Sequence, residues 1–257
     1  MSIERAGEPW TAVGQELTHW RAAGRQAQLW LRDDDAVAPT PALDRLLAIG
    51  RAYQVPILIA VIPMLAERSL AIRLANEPVV FAATHGIRHD NHAPSGRKSE
   101  ETPLERGEHA IMEALHKASA RMKVLFGAGA ASRYVPPWNR LPTEMREWLP
   151  KAGFDWISAF ASTPVIAGPR LRQANAHVDL IDWKNGRVGR SEVWMAAALA
   201  AALREARIDD FRPVGILTHH LVHDEQAWLT LGGLMTFSRN AGIDWVSPPF
   251  IGADRQS

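Results

Sequence analysis

The sequence predicts an α/β fold built on parallel strands, either a barrel or a wound sheet, and three observations carry that prediction. From Gln26 onward, short apolar or β-branched runs alternate with longer segments of helical period, as when parallel strands are joined by crossover helices. Eight such runs can be drawn, close to the number that closes a barrel. Clusters of Asp and His follow the ends of several runs, where the loops of parallel α/β folds converge. At 257 residues and 47% hydrophobic content the chain can bury one full core, so residues 1–257 are read as a single domain with 1–25 as an N-terminal helical extension.

The runs expected as strands are 28–32, 56–62, 79–83, 133–135, 155–160, 178–183, 214–218 and 243–246. Between them, 41–53, 65–75, 105–126, 143–151, 191–208 and 225–240 repeat apolar residues at three- and four-residue spacing, which predicts helices. Thr40, Ser191 and Asp224 stand where N-caps are needed. Residues 89–104 hold Pro94, Gly96 and Pro103 without periodicity, and a loop of that length in a compact domain is often functional.

Composition removes several function classes. The 29 basic and 28 acidic residues nearly cancel and form no run of one sign, which argues against nucleic acid and membrane surfaces as partners and for a small or neutral substrate. Cysteine is absent, so thiolate catalysis, disulfides and thiolate metal sites are excluded, leaving imidazole and carboxylate as the strong ligands. No segment approaches the ~20 apolar residues of a spanning helix, and the N-terminus lacks a signal-peptide run; a cytoplasmic location is the expectation.

Three clusters can carry chemistry. The first strand runs into Asp33, Asp34 and Asp35, whose mutual repulsion needs a cation or an arginine to offset it; a solvated turn is the alternative. The third ends near His85 and His89, a spacing that on a helical turn brings both imidazoles to one ion, with Asp90, Asn91 and His92 following. The seventh ends in His219, His220, His223 and Asp224, so these two short segments hold six of the ten histidines. Tyr134 to Asn139 form a Pro-rich aromatic loop in which Trp138 can wall a pocket, and Asp179, Asp182 and Trp183 end the sixth strand.

These residues, in this order, resemble the polysaccharide deacetylases, the NodB-homology enzymes of carbohydrate esterase family four, over residues 29–224. Residues 32–36, Arg-Asp-Asp-Asp-Ala, resemble the TFDDG motif, which makes Asp34 the catalytic base and Asp35 a metal ligand; a shift by one residue would give Asp33 and Asp34 instead. The HSxxH motif is matched by His85 and His89, with Gly86 at the Ser position, completing an Asp/His/His metal triad. His92 has no counterpart and is assigned to the site as a substrate contact. The RPPYG motif appears as Val135-Pro136-Pro137-Trp138-Asn139, without the arginine that pairs with the catalytic aspartate; Arg32 and Arg133 are the candidates to replace it. Asp179, Asp182 and Trp183 resemble the fourth motif and Leu217-Thr218-His219 the fifth, making His219 the general acid with Asp179 or Asp182 orienting it, and His220 the fallback and a substrate-side residue.

The resemblance implies a distorted (β/α)7–8 barrel of NodB type and a divalent metal, zinc first, with cobalt, nickel, manganese or iron able to fill the same ligand set. The implied activity is hydrolysis of a non-peptide C–N bond, an N-acetylated sugar or polysaccharide being the leading substrate. An intracellular cyclic amide of the allantoin kind is one rival. A non-catalytic carbohydrate- or metal-binding domain is another, since the motif-three arginine is missing.

Overall fold

The computed structural model describes residues 9–248. Its strands are β1 (Gln28–Ala36), β2 (Ile57–Val61), β3 (Val80–His85), β4 (Arg133–Val135), β5 (Trp156–Ile157), β6 (Arg172–Gln173), β7 (Ala176–Asp179), β8 (Ile181–Asp182), β9 (Val188–Gly189), β10 (Val214–Thr218) and β11 (Asp244–Trp245). The main sheet runs β6-β5-β4-β3-β2-β1-β10-β7 with β11 added on β1, all pairings parallel. A parallel bridge between Phe160 and Ala176 draws the β5 side towards β7, so the curled sheet is a distorted barrel.

The helices are α1 (Thr11–Ala22), α2 (Pro41–Tyr53), α3 (Arg68–Leu74), α4 (Glu108–Phe126), α5 (Ala128–Ala131), α6 (Met145–Lys151), α7 (Glu192–Ile208) and α8 (Glu225–Ala241). Three start on the expected caps. Thr40 accepts the Leu43 N–H at 3.0 Å, Ser191 that of Trp194 at 3.3 Å, and Asp224 that of Ala227 at 2.8 Å.

Strand alternation sorts the core into two sides. Leu29, Leu31, Ile57, Ile59 and Val61 pack with helix residues such as Leu43, Leu46, Leu199 and Leu203. The intervening Trp30, Leu58 and Ala60 pack with Ala83, Val135 and Trp156 inside the barrel. The described part of the N-terminal extension belongs to the same body: Val13, Leu17 and Trp20 of α1 are buried, Trp20 Nε1 donates to the Leu203 carbonyl at 3.3 Å, and Trp10 stacks on Phe237 at 5.0 Å. Residues 1–8 and 249–257, parts of the expected extension and domain, lie outside the described residues.

Several expectations need correction. β1 does not end before the aspartates but continues through them to Ala36: Asp33 and Asp34 meet donating partners, and Asp35 lies against two imidazoles. The expected strand 178–183 splits where Asp179 Oδ1 accepts the Ile181 N–H at 2.9 Å; β8 then turns away into an antiparallel hairpin with β9. The helix expected at 105–126 is interrupted by Gly107 at φ 79°, which separates a short 3-10 turn, Leu104–Arg106, from α4. His85 and His89 are not on a helical turn: β3 ends at His85 and the chain leaves it through Gly86 at φ 58° and His89 at φ 62°. Among the described residues no helix is long and apolar enough to cross a membrane.

Candidate metal and catalytic site

Strand geometry decides what each of the three aspartates of β1 does. Asp33 follows Leu29 and Leu31 on the helix side, where its Oδ2 accepts the Thr218 hydroxyl at 2.6 Å and the His220 N–H at 2.8 Å while Oδ1 meets His220 Nδ1 at 2.5 Å. Burial disfavours both charges, but the pair outweighs it: the Asp33 carboxyl is held below its usual range and the His220 imidazole above its own. Arg32 and Asp34 follow Trp30 on the opposite face. Then the pairing of β1 with β2 slips between Asp33 and Ala36, and Asp35 takes φ 73°. A bulge of this kind re-aims a side chain out of the strict alternation, and the left-handed backbone is strained for a non-glycine residue.

Asp35 is re-aimed at two histidines. Its Oδ1 lies 3.0 Å from His85 Nε2 and 3.4 Å from His89 Nε2. One ligand atom from each of the three residues falls within 4.8 Å of the others. His85 Nδ1 sits 3.0 Å from the Val135 carbonyl, which can only accept, so that nitrogen carries a proton and Nε2, facing Asp35, is the ring atom open to a second proton or to a cation. Two acceptors that close repel unless a proton or a cation lies between them. A buried imidazole fixed by a backbone carbonyl, a second imidazole and a carboxylate form a donor set that fits a divalent cation. Burial alone would raise the Asp35 carboxyl, yet His85, His219 and His89 hold it well below the carboxylate range. Burial would lower His85, but Asp34 and Asp35 raise it; His89 is lowered by burial and by His85.

The loop carrying His89 is fixed by residues that the sequence did not single out. Glu101, 2% exposed, accepts the N–H groups of Ile87 (2.8 Å) through Oε2, and of Arg88 (2.8 Å), His89 (2.7 Å) and Asp90 (3.3 Å) through Oε1. The signal available in the sequence was Gly86 at a position where the resemblance expects Ser or Thr. A Cβ there would stand 2.1 Å from Glu101 Oε2 and 2.4 Å from Pro137 Cγ, so the carboxylate occupies the space a side chain would need.

Arg32 is fully buried and lies beside Asp34: Nε is 3.0 Å from Oδ1 and Nη2 donates to Oδ2 at 3.1 Å. Nη2 also reaches Asn139 Oδ1 at 2.6 Å, and Nη1 donates to the Ser158 carbonyl and hydroxyl at 2.9 Å and to the Ala159 carbonyl at 3.0 Å. The guanidinium is thus paired with Asp34, the position at which the resemblance led an arginine to be expected. Arg133, the other candidate, opens β4 at the end away from Val135 and donates to the Ala82 carbonyl at 3.4 Å. Trp138 and Asn139 both have positive φ, 52° and 55°. Asparagine tolerates that region better than most residues, which accounts for Asn139 in place of the motif's glycine. The turn brings the Trp138 ring to 4.3 Å from that of His89.

His219 closes the group from β10, with Nε2 3.8 Å from Asp34 Oδ2. Trp183 packs edge-on against its ring at 4.6 Å and donates Nε1–H to Asp179 Oδ2 at 2.9 Å, so Asp179 bears on His219 through Trp183. Burial, with Asp34 nearby, raises the Asp179 carboxyl despite His219.

Three expected site residues stand elsewhere. Asp182 is on the β8–β9 hairpin, bound to Arg190 at 3.0 Å and Asn185 at 2.8 Å, because the split of the expected strand carries it past the barrel mouth. His220 is 1% exposed and committed to Asp33 on the helix side, which removes it as a fallback acid and as a substrate contact. His92 is exposed; its N–H bonds the Glu100 carbonyl at 2.9 Å, and among the described residues its ring makes no hydrogen bond or ring contact with the site.

No family model matches the sequence, and no curated protein does. Solved structures do. A protein assigned as a polysaccharide deacetylase from Mycobacterium smegmatis superposes with a TM-score of 0.64 at 15% identity, over 88% of this chain and 87% of that one. A family 4 carbohydrate esterase from Streptomyces lividans, solved with acetate, gives 0.56 at 15% identity over 85% and 91%. A family 4 acetyl xylan esterase from Clostridium thermocellum, solved with a cobalt ion, gives 0.55 at 14% identity over 86% and 87%. This chain thus has the distorted barrel of the polysaccharide deacetylase and family 4 carbohydrate esterase structures.

Proposed function

We propose that this chain is a divergent polysaccharide-deacetylase-type hydrolase that uses a divalent metal, zinc first, to remove the acetyl group from an N-acetylated sugar. The observation that carries the reading is the convergence of Asp35, His85 and His89 on one point, with Asp34 and His219 beside it. The likeness to structures described as polysaccharide deacetylases and carbohydrate esterases, one of them holding cobalt, supports it.

Asp35, His85 and His89 would hold the ion, which when bound supplies Lewis acidity to polarise the amide carbonyl and to acidify water. Asp34, its carboxylate held by the Nη2 hydrogen bond and the charge of the buried Arg32 guanidinium, takes the proton of the attacking water. Asn139 and Arg140 commit their N–H groups to the Pro136 and Pro137 carbonyls, leaving the Trp138 N–H as the donor for the developing oxyanion. His219, positioned by Trp183 and Asp179, delivers a proton to the departing amine. Trp138 and Trp183 place indole rings beside His89 and His219, apolar surface of the kind on which a sugar ring can pack.

The test is acetate release from N-acetylglucosamine oligomers by zinc- or cobalt-loaded protein, run beside cyclic ureides and repeated with chelator. Chelator-sensitive release of acetate is expected. Ring opening of a ureide without acetate release would move the substrate to cyclic amides, and no turnover of either would favour a binding domain.

A further inference from the structure

A buried carboxylate that meets four consecutive backbone N–H groups is an uncommon arrangement, and here those groups belong to the loop that ends in a candidate metal ligand. From the Glu101 contacts we infer that Glu101 is the positioning residue of the metal centre, fixing the His85–His89 loop before any ion arrives. The inference rests on the metal reading above and adds a residue to it.

The geometry builds up from the backbone. Gly86 at φ 58° and His89 at φ 62° turn successive amides of the loop inwards, making a concavity suited to an anion. Glu101 fills it with both oxygens engaged. Gly86 N–H and His85 Nδ1 both converge on the Val135 carbonyl at 3.0 Å, which fixes the near end of the same loop. Glu101 is tied in turn, since Arg106 Nη1 donates to its carbonyl at 2.8 Å. Left alone, a non-glycine residue at positive φ relaxes to a commoner conformation, and His89 would then swing away from Asp35. The carboxylate supplies the charge-assisted hydrogen bonds that hold it.

Glutamine cannot replace it: its NH2 end would face one of the N–H donors, and only one oxygen would remain for both groups of contacts. Glu101→Gln should therefore weaken zinc affinity, read by competition with a chromophoric chelator, by about tenfold or more, the range seen when groups supporting a metal ligand are removed. It should also alter the visible spectrum of the cobalt-loaded chain, which a role in stability alone would leave unchanged. Unchanged affinity and spectrum in Glu101→Gln, beside normal binding by wild type, would overturn the positioning role and leave the metal reading intact. Failure of wild type to take zinc or cobalt would overturn both.

Amide hydrogen exchange on metal-free wild type tests the same point without a variant. Slow exchange at Ile87, Arg88 and His89 is expected before zinc is added. Fast exchange there, slowed only by zinc, would overturn the claim that Glu101 forms the loop in advance.

Discussion

Arg32 and Asp34 stand two residues apart on β1, and the fully buried guanidinium of the first meets both carboxylate oxygens of the second, at 3.0 and 3.1 Å. The arginine missing from the Val135-Pro136-Pro137 segment is thus matched by one on the same strand as the aspartate it serves. Arg32→Met would leave Asp34 buried and unpaired and the acceptors of Asn139 and Ser158 without their donor. Breaking such a buried pair costs about 3–5 kcal/mol, so the unfolding midpoint in urea should drop clearly. Arg32→Lys keeps a charge but not the fork, and kcat should fall by about tenfold or more with KM less affected.

Asp34→Asn should separate the base from the metal ligands. Zinc stoichiometry is expected to be unchanged, while kcat falls by about a thousandfold. Loss of zinc together with kcat would make Asp34 a ligand and reverse the assignment of Asp34 and Asp35.

Much of this was legible in the sequence because period and chemistry coincide at strand ends: β3 stops at His85 and β10 just before His219, as the apolar runs indicated. What was not legible depends on how local backbone departs from period. The sequence makes Asp34 and Asp35 the base and ligand but leaves open a shift to Asp33 and Asp34; the bulge at Asp35 is what gives each aspartate its face. His220 reads as a site residue until Thr218 and its own N–H are seen committed with it to Asp33. Asp182 is lost through a single Asx-type turn at Asp179. Glu101 leaves no residue pattern of its own because its partners are backbone amides, and Gly86 is its indirect trace.

Gly86→Ala should disable the loop. The added Cβ would meet Glu101 and Pro137 well inside contact distance at a backbone angle that disfavours side chains. Reduced zinc affinity and a lower thermal midpoint are expected. Wild-type zinc affinity would mean that the loop has room to adjust.

Acid should destabilise the fold through two partly buried histidines that are not among the candidate metal ligands. Burial and Arg212 lower His177 to about 3, and burial, with His220 and His219, lowers His223 to about 4. Unfolded histidine titrates near 6.5. Between the folded and unfolded values the unfolded chain binds more protons, so stability is full above pH ~6.5 and is lost as pH falls through that value towards 4. His223→Phe should reduce the slope of unfolding free energy against pH in that window by about one proton. An unchanged slope would remove His223 from the explanation.

The most direct measurement is elemental analysis of metal in wild type, Asp35→Ala and His85→Ala, each purified without chelator and then equilibrated with zinc. About one ion per wild-type chain and none in either variant is the expected result, given three ligands sharing one ion. Equal zinc in the variants and in wild type would contradict it.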